Sequence, residues 1–272
     1  MSHLFRTILC LISSCFLLRA GAQPASPVFK TGFENSQDFL QGWTFLEYSR
    51  KGNLQQVRQP VRSGSYSLMI DQDRNDPESN SGNKRTELVY NVSNREEGID
   101  SSLRWYAFSN YFPASYERDP AEEIVAQWHD KSPDCSASPT LALEIKNDRF
   151  RARIRYSTGP YCSDRESIVE RSFDLGPVNK ETWHDWLIYY LPRTDSSGSV
   201  QVWKNSMLVL NYEGPCQYIG SWFPYFKIGL YKWIWMPDWK GEQSQVNHRR
   251  YFLDAVAIGR DSTGLTPTPR LP

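Results

Sequence analysis

The chain has 272 residues, with 31 basic and 31 acidic side chains and an aromatic content of 14%. Balanced charge argues against broad attraction to nucleic acid, so a polyanionic ligand would need positive charge concentrated locally. The four histidines are unclustered and the cysteine spacings do not fit a structural zinc site.

Residues 1–22 read as an export signal. Arg6 supplies a positive start, Ile8 to Leu18 an apolar stretch, and Ala20-Gly21-Ala22 a small-residue cleavage site before Gln23. The apolar stretch is short of the ~20 residues that span a bilayer. A secreted or periplasmic protein is therefore expected, with residues 23–261 forming one domain and 262–272 a disordered tail. Cys10 and Cys15 leave with the signal. Cys135, Cys162 and Cys216 remain, and Cys135 with Cys162 is the expected disulfide because both lie in polar, turn-rich segments.

The body of the chain reads as many short strands without a long amphipathic helix. Asp71–Asn83 and Asp130–Ser138 read as polar loops. Trp183–Leu191 and Tyr251–Gly259 read as strands, and Ser199–Asn211 as a hairpin turning at Lys-Asn-Ser. Strands without alternating helices predict an all-β fold, a sandwich or jelly roll of antiparallel sheets.

Three segments carry candidate chemistry. In Lys84-Arg85-Thr86-Glu87-Leu88, strand alternation puts Arg85 and Glu87 on one face, an arginine steadied by a carboxylate. An ordinary surface ion pair would look the same. In Glu123–His129, Ile124, Ala126 and Trp128 are expected in the core, with Val125, Gln127 and His129 opposite. Histidine titrates near neutrality and suits proton transfer. In Tyr225–Trp235, Phe226, Ile228 and Leu230 make an apolar face, while Tyr225, Lys227, Tyr231, Trp233 and Trp235 take the other, with Gly229 leaving a gap. Aromatic faces stack on sugar rings, and a tyrosine phenol can move a proton.

Arg-Thr-Glu at 85–87, Gln-Trp-His at 127–129 and Tyr-Phe-Lys-Ile-Gly-Leu-Tyr at 225–231 resemble, in order, the active-site strands of β-jelly-roll polysaccharide lyases. Alginate lyases of this fold carry R-x-E, Q-x-H and Y-F-K-x-G-x-Y strands. Gly32-Phe33-Glu34, the Glu123–Asp130 segment, Trp183-His184-Asp185-Trp186 and the closing Tyr251–Gly259 are more similar to the heparin lyase I-like and glucuronan lyase branch.

The resemblance implies a concanavalin-like sandwich that cuts a uronic-acid polymer (glucuronan, heparin-type or alginate-like) by β-elimination. It implies a catalytic group of Arg85, Gln127, His129 and Tyr231. Arg85 and Gln127 would neutralise the substrate carboxylate, His129 would act as neutraliser or base according to substrate stereochemistry, and Tyr231 as acid, serving as base too in a syn elimination. Lys84, Glu87, Tyr225, Lys227, Lys232, Trp233 and Trp235 are the expected substrate contacts. No cofactor is expected for the chemistry, a structural calcium is implied by relatives, and acids of loop 71–78 could supply its oxygen ligands. A monomer is expected. The rival reading is a non-catalytic carbohydrate-binding sandwich. A glycoside hydrolase would need two flanking carboxylates, and Glu122-Glu123 points its members to opposite faces.

Overall fold

The computed structural model describes residues 27–91, 93–94, 98–99, 104–130, 138–160 and 165–265. The expected export signal, Cys135 and Cys162 lie outside the described residues. In chain order the strands are β1 (Phe29–Thr31), β2 (Phe45–Glu47), β3 (Leu54–Val57), β4 (Ser67–Asp73), β5 (Arg85–Tyr90), β6 (Ser93–Asn94), β7 (Gly98–Ile99), β8 (Trp105–Tyr111) and β9 (Glu123–His129). They continue with β10 (Leu141–Lys146), β11 (Arg149–Ser157), β12 (Ile168–Pro177), β13 (Trp183–Leu191), β14 (Ser199–Lys204), β15 (Met207–Glu213), β16 (Tyr225–Tyr231) and β17 (His248–Gly259).

These strands form the β-jelly-roll sandwich expected from the sequence. The back sheet runs β15-β14-β13-β8-β17-β4-β3, with β1 added on β17, and the front sheet runs β12-β11-β10-β9-β16-β5-β2. Neighbours in both sheets pair antiparallel. The β14–β15 hairpin turns through Asn205 and Ser206, both at positive φ (51° and 67°). That backbone twist matches the twist of the flanking strands.

Alternation decides which residues fill the space between the sheets. On β11, Phe150, Ala152 and Ile154 enter the core, while Arg149, Arg151, Arg153 and Arg155 take the outer face. Trp128 of β9 and Phe226 of β16 meet Tyr106 of the back sheet, with ring centroids 5.1 Å apart in each pair. Burying one such side chain contributes about 1.5–3 kcal/mol. Leu265 is also buried, against Ala107, Leu187 and Ala257, so the chain stays packed past the expected start of the tail at 262. Cys216 is a free, buried thiol that donates to the Leu191 carbonyl.

One departure from strict alternation shapes the front sheet. Leu143 and Glu144 of β10 pair with Ala126 and Ile124, which leaves Val125 as an extra residue on β9. This bulge reverses the expected facing: Val125 packs in the core and Ile124 opens onto the outer face.

Candidate active site

A cleft of about 870 Å³ lies on the outer face of the front sheet. Arg85, His129, Tyr225, Lys227, Tyr231 and Trp233 all line it, so the three sequence segments converge on one site. Strand register explains how. Lys227 sits opposite Gln127, Tyr225 opposite His129, and Tyr231 opposite Arg85. Gly229 sits opposite Glu87 at φ 137°, and a Cβ there would lie 2.2 Å from the Thr86 carbonyl oxygen. Only glycine fits so close an approach of β16 to β5.

The cleft floor is an alternating set of charges. Glu47 Oε2 accepts from Lys227 Nζ at 2.7 Å and from Arg85 Nη1 at 3.2 Å. Glu87 lies behind them, 3.5 Å from Arg85 Nη1 and 4.0 Å from Lys227 Nζ, and accepts from Gln127 Nε2. Burial pushes Glu47 up, but Lys227 and Arg85 outweigh it and hold its carboxyl below the usual range. Burial wins at Glu87, which has no exposed surface, and raises it. The two carboxylates beside the same cations are thus shifted in opposite directions, Glu47 down and Glu87 up.

His129 stands beside this group, its ring 5.6 Å from that of Tyr225. The Nδ1 atom lies 2.8 Å from the Asp130 carbonyl, which can only accept, so Nδ1 carries the proton and Nε2 the lone pair. Burial first, then Lys227 and Arg85, lowers its pKa to about 4. At neutral pH the ring is an uncharged base. Tyr231 has the Arg85 guanidinium over its ring at 4.1 Å. Burial raises its pKa, with Arg85 opposing, so it enters as a protonated phenol able to donate.

Four expected substrate contacts are placed elsewhere, and Gln127 of the expected catalytic group is fully buried, bonded to Glu87 beneath the cleft floor. Lys232 is fully buried between Asp119 (2.8 Å) and Glu123 (2.7 Å). Trp235 turns inward and donates to Ser244 and Val246, because strand β16 ends at Tyr231 and residues 233–235 form a 3-10 turn. The period-2 alternation stops there, so only Trp233 reaches the cleft. Lys84 is buried and donates to the Asp76 carbonyl. Glu87 stays below the floor rather than facing a ligand. The cleft also contains residues that the motifs did not indicate: Glu47, Arg155, Glu170 and Trp239. Glu47 sits in a three-residue strand too short to show a period, and Trp239 in an irregular loop. The alternating arginines of β11 were a visible signal for Arg155.

Loop 71–78 does not fit a structural calcium. Asp71 is taken up by Arg250 (2.6 Å) and His248 (3.2 Å), and Asp76 by Arg50 (2.7 Å) and Asn53 (2.9 Å). Among the described residues, no group of three His, Cys, Asp or Glu side chains is arranged to hold a metal.

A family profile described as Polysaccharide lyase matches residues 34–257. The chain belongs to this polysaccharide lyase family. The lyase is also similar in structure to the endo-β-1,4-glucuronan lyase of the fungus Trichoderma reesei, at 20% identity and a TM-score of 0.71, covering 90% of this chain and 100% of that one. A marine alginate lyase from Aplysia kurodai superposes with a TM-score of 0.55 at 10% identity, over 86% of this chain and 99% of that one. No curated protein matches the sequence. No helix among the described residues of the lyase is long and apolar enough to cross a membrane.

Proposed function

We propose that the lyase cleaves a β-1,4-linked uronic-acid polymer of the glucuronan type, acting as an exported monomer. The observation that carries this reading is the set on the cleft floor: a cation pair, a neutral imidazole with its Nε2 lone pair available, and a protonated phenol. Elimination next to a uronate requires removal of the C5 proton beside a carboxylate whose charge opposes a carbanion. Arg85 and Lys227 neutralise that carboxylate, with Gln127 paired across from Lys227 holding Glu87 in place. His129 takes the C5 proton at Nε2, and the C5 electron pair forms the C4–C5 double bond. The C4–O4 bond breaks, and Tyr231 gives its proton to the departing oxygen.

The likeness to the glucuronan lyase along nearly the whole of both chains supports glucuronan as the first polymer to assay. Export rests on the first 22 residues of the sequence. The test is ultraviolet absorbance of the new unsaturated uronate, followed on glucuronan, alginate and heparin-type polymers. Absorbance on glucuronan is expected. Reducing ends without absorbance would indicate hydrolysis, and binding without either product would favour the carbohydrate-binding sandwich.

A further inference from the structure

The floor carries one arrangement twice. At the catalytic centre a single carboxylate, Glu47, holds two cations, Arg85 and Lys227. Across the cleft Glu170 of β12 does the same for two arginines of β11: Oε1 accepts from Arg153, and Oε2 from Arg155 Nε at 2.7 Å. Arg155 and Glu170 both line the cleft. The arginines are held from several sides. Arg153 Nε reaches Glu144 at 2.7 Å and its Nη2 reaches Glu122 at 2.8 Å, while Arg155 Nη1 donates to the Pro139 carbonyl at 2.9 Å. Glu170 differs from the other acids in exposure: its side chain is 42% accessible, against 1% for Glu144. A rigid, shielded guanidinium beside an exposed counter-ion is suited to exchanging that counter-ion for a ligand carboxylate.

The two ends share one cleft, which His129 and Arg155 both line. Ala142 of β10 is the residue between Gln127 and Arg153 in the register. Two strand spacings, about 10 Å, separate the backbones of β9 and β11, so a chain lying across the strands can reach from His129 to Arg155. Glu144 beneath them is pushed up to about 7 by burial, so Glu170 is the exposed member of the acids that hold the pair.

We propose that Arg155, with Arg153 behind it, forms a second carboxylate-binding subsite, in which a uronate carboxylate of a neighbouring sugar displaces Glu170. This rests on the reading of the cleft as a polyuronate site. It makes the substrate a polyanion engaged at two separated carboxylates.

The test uses the full chain and three variants, Arg155→Gln, Glu170→Gln and Tyr231→Phe. With glucuronan, Arg155→Gln is expected to raise KM about tenfold, the loss of one charged hydrogen-bonded contact. Glu170→Gln removes the competing carboxylate and is expected to lower KM about threefold. On the shortest oligomer that is still cleaved, both shifts shrink to less than about twofold. A purely structural ion pair predicts loss of the same sign from both variants, with parallel loss of thermal stability, and that result overturns the subsite. Equal shifts on short and long substrates overturn it as well. Binding of glucuronan to Tyr231→Phe, with and without each β11–β12 substitution, reads the subsite without turnover. Failure of the lyase reading would show as absent unsaturated product in the wild type, and failure of the subsite as unchanged binding.

Discussion

His129 enters the cleft uncharged, and this has a measurable consequence. A general base works unprotonated, so the rate falls as pH drops through its pKa. Burial and the neighbouring cations lower that pKa from 6.5 to about 4. The acid limb of kcat/KM is therefore expected near pH 4, and a limb near 6.5 in the free enzyme would remove His129 as the base. Tyr231→Phe deletes the proton donor and leaves the ring under the Arg85 guanidinium, so the fold is expected to hold while kcat falls ~10²–10⁴-fold. Unsaturated product formed at near wild-type rate by the folded variant would exclude Tyr231 as the acid. Strand phase set Arg85 beside Glu87 and Gln127 beside His129, but Arg85 and Glu87 alone would pass for a surface ion pair, and it was the resemblance of the three motifs that grouped Arg85, Gln127, His129 and Tyr231. Glu47 could not be picked out beforehand, since its role comes from standing one strand over from Arg85 and near Lys227, a relation visible only in the assembled sheet.

Strands β5, β16 and β9 act as one element, and its weak point is Gly229. An alanine there would bring Cβ to 2.2 Å from the Thr86 oxygen and 2.8 Å from the Glu87 Cα, at a φ of 137°. Backbone strain alone costs about 1–3 kcal/mol, and β16 would also be pushed off β5. Gly229→Ala is expected to lower unfolding free energy by at least about 2 kcal/mol in denaturant titration, with activity lost as Arg85 and Tyr231 separate. A loss below about 0.5 kcal/mol would mean that the strand pair can relax around the methyl. The turn after β16 depends on a different device. Lys232, Arg249, Glu123 and Asp119 form a buried ionic group, in which Arg249 Nε lies 2.7 Å from Glu123. Lys232→Met would leave two buried carboxylates short of one cation, a change worth about 3–5 kcal/mol. This anchor was not legible beforehand: alternation carried through residue 235 would aim Trp235 at the ligand, whereas the chain enters a 3-10 turn at 233–235 next to the buried Lys232, which leaves Trp233 beside Tyr231, ring centroids 5.3 Å apart.

At the scale of the whole molecule, a chain with equal numbers of acids and bases folds so that one sheet face gathers its cations into a cleft. The layering was legible beforehand because alternation such as Arg149-Phe150-Arg151-Ala152-Arg153-Ile154 can only be satisfied by a sheet with one dry and one wet face. The bulge at Val125 was not, since it depends on the register that β10 and β16 impose on β9. Global neutrality and local positive charge together predict how the lyase responds to salt. Long-range steering by net charge is absent, so ionic strength acts mainly through contacts inside the cleft. The screening length falls from about 10 Å at 0.1 M to about 3 Å at 1 M, so attraction of a polyanion to Arg85, Lys227 and Arg155 weakens over that range. The chemical step, among groups already in contact and shielded from water, is screened far less. KM for glucuronan is expected to rise on the order of tenfold between 0.1 and 1 M salt, with kcat nearly constant. A fall in kcat with unchanged KM would place the salt-sensitive charge at the reacting bond instead of along the bound chain.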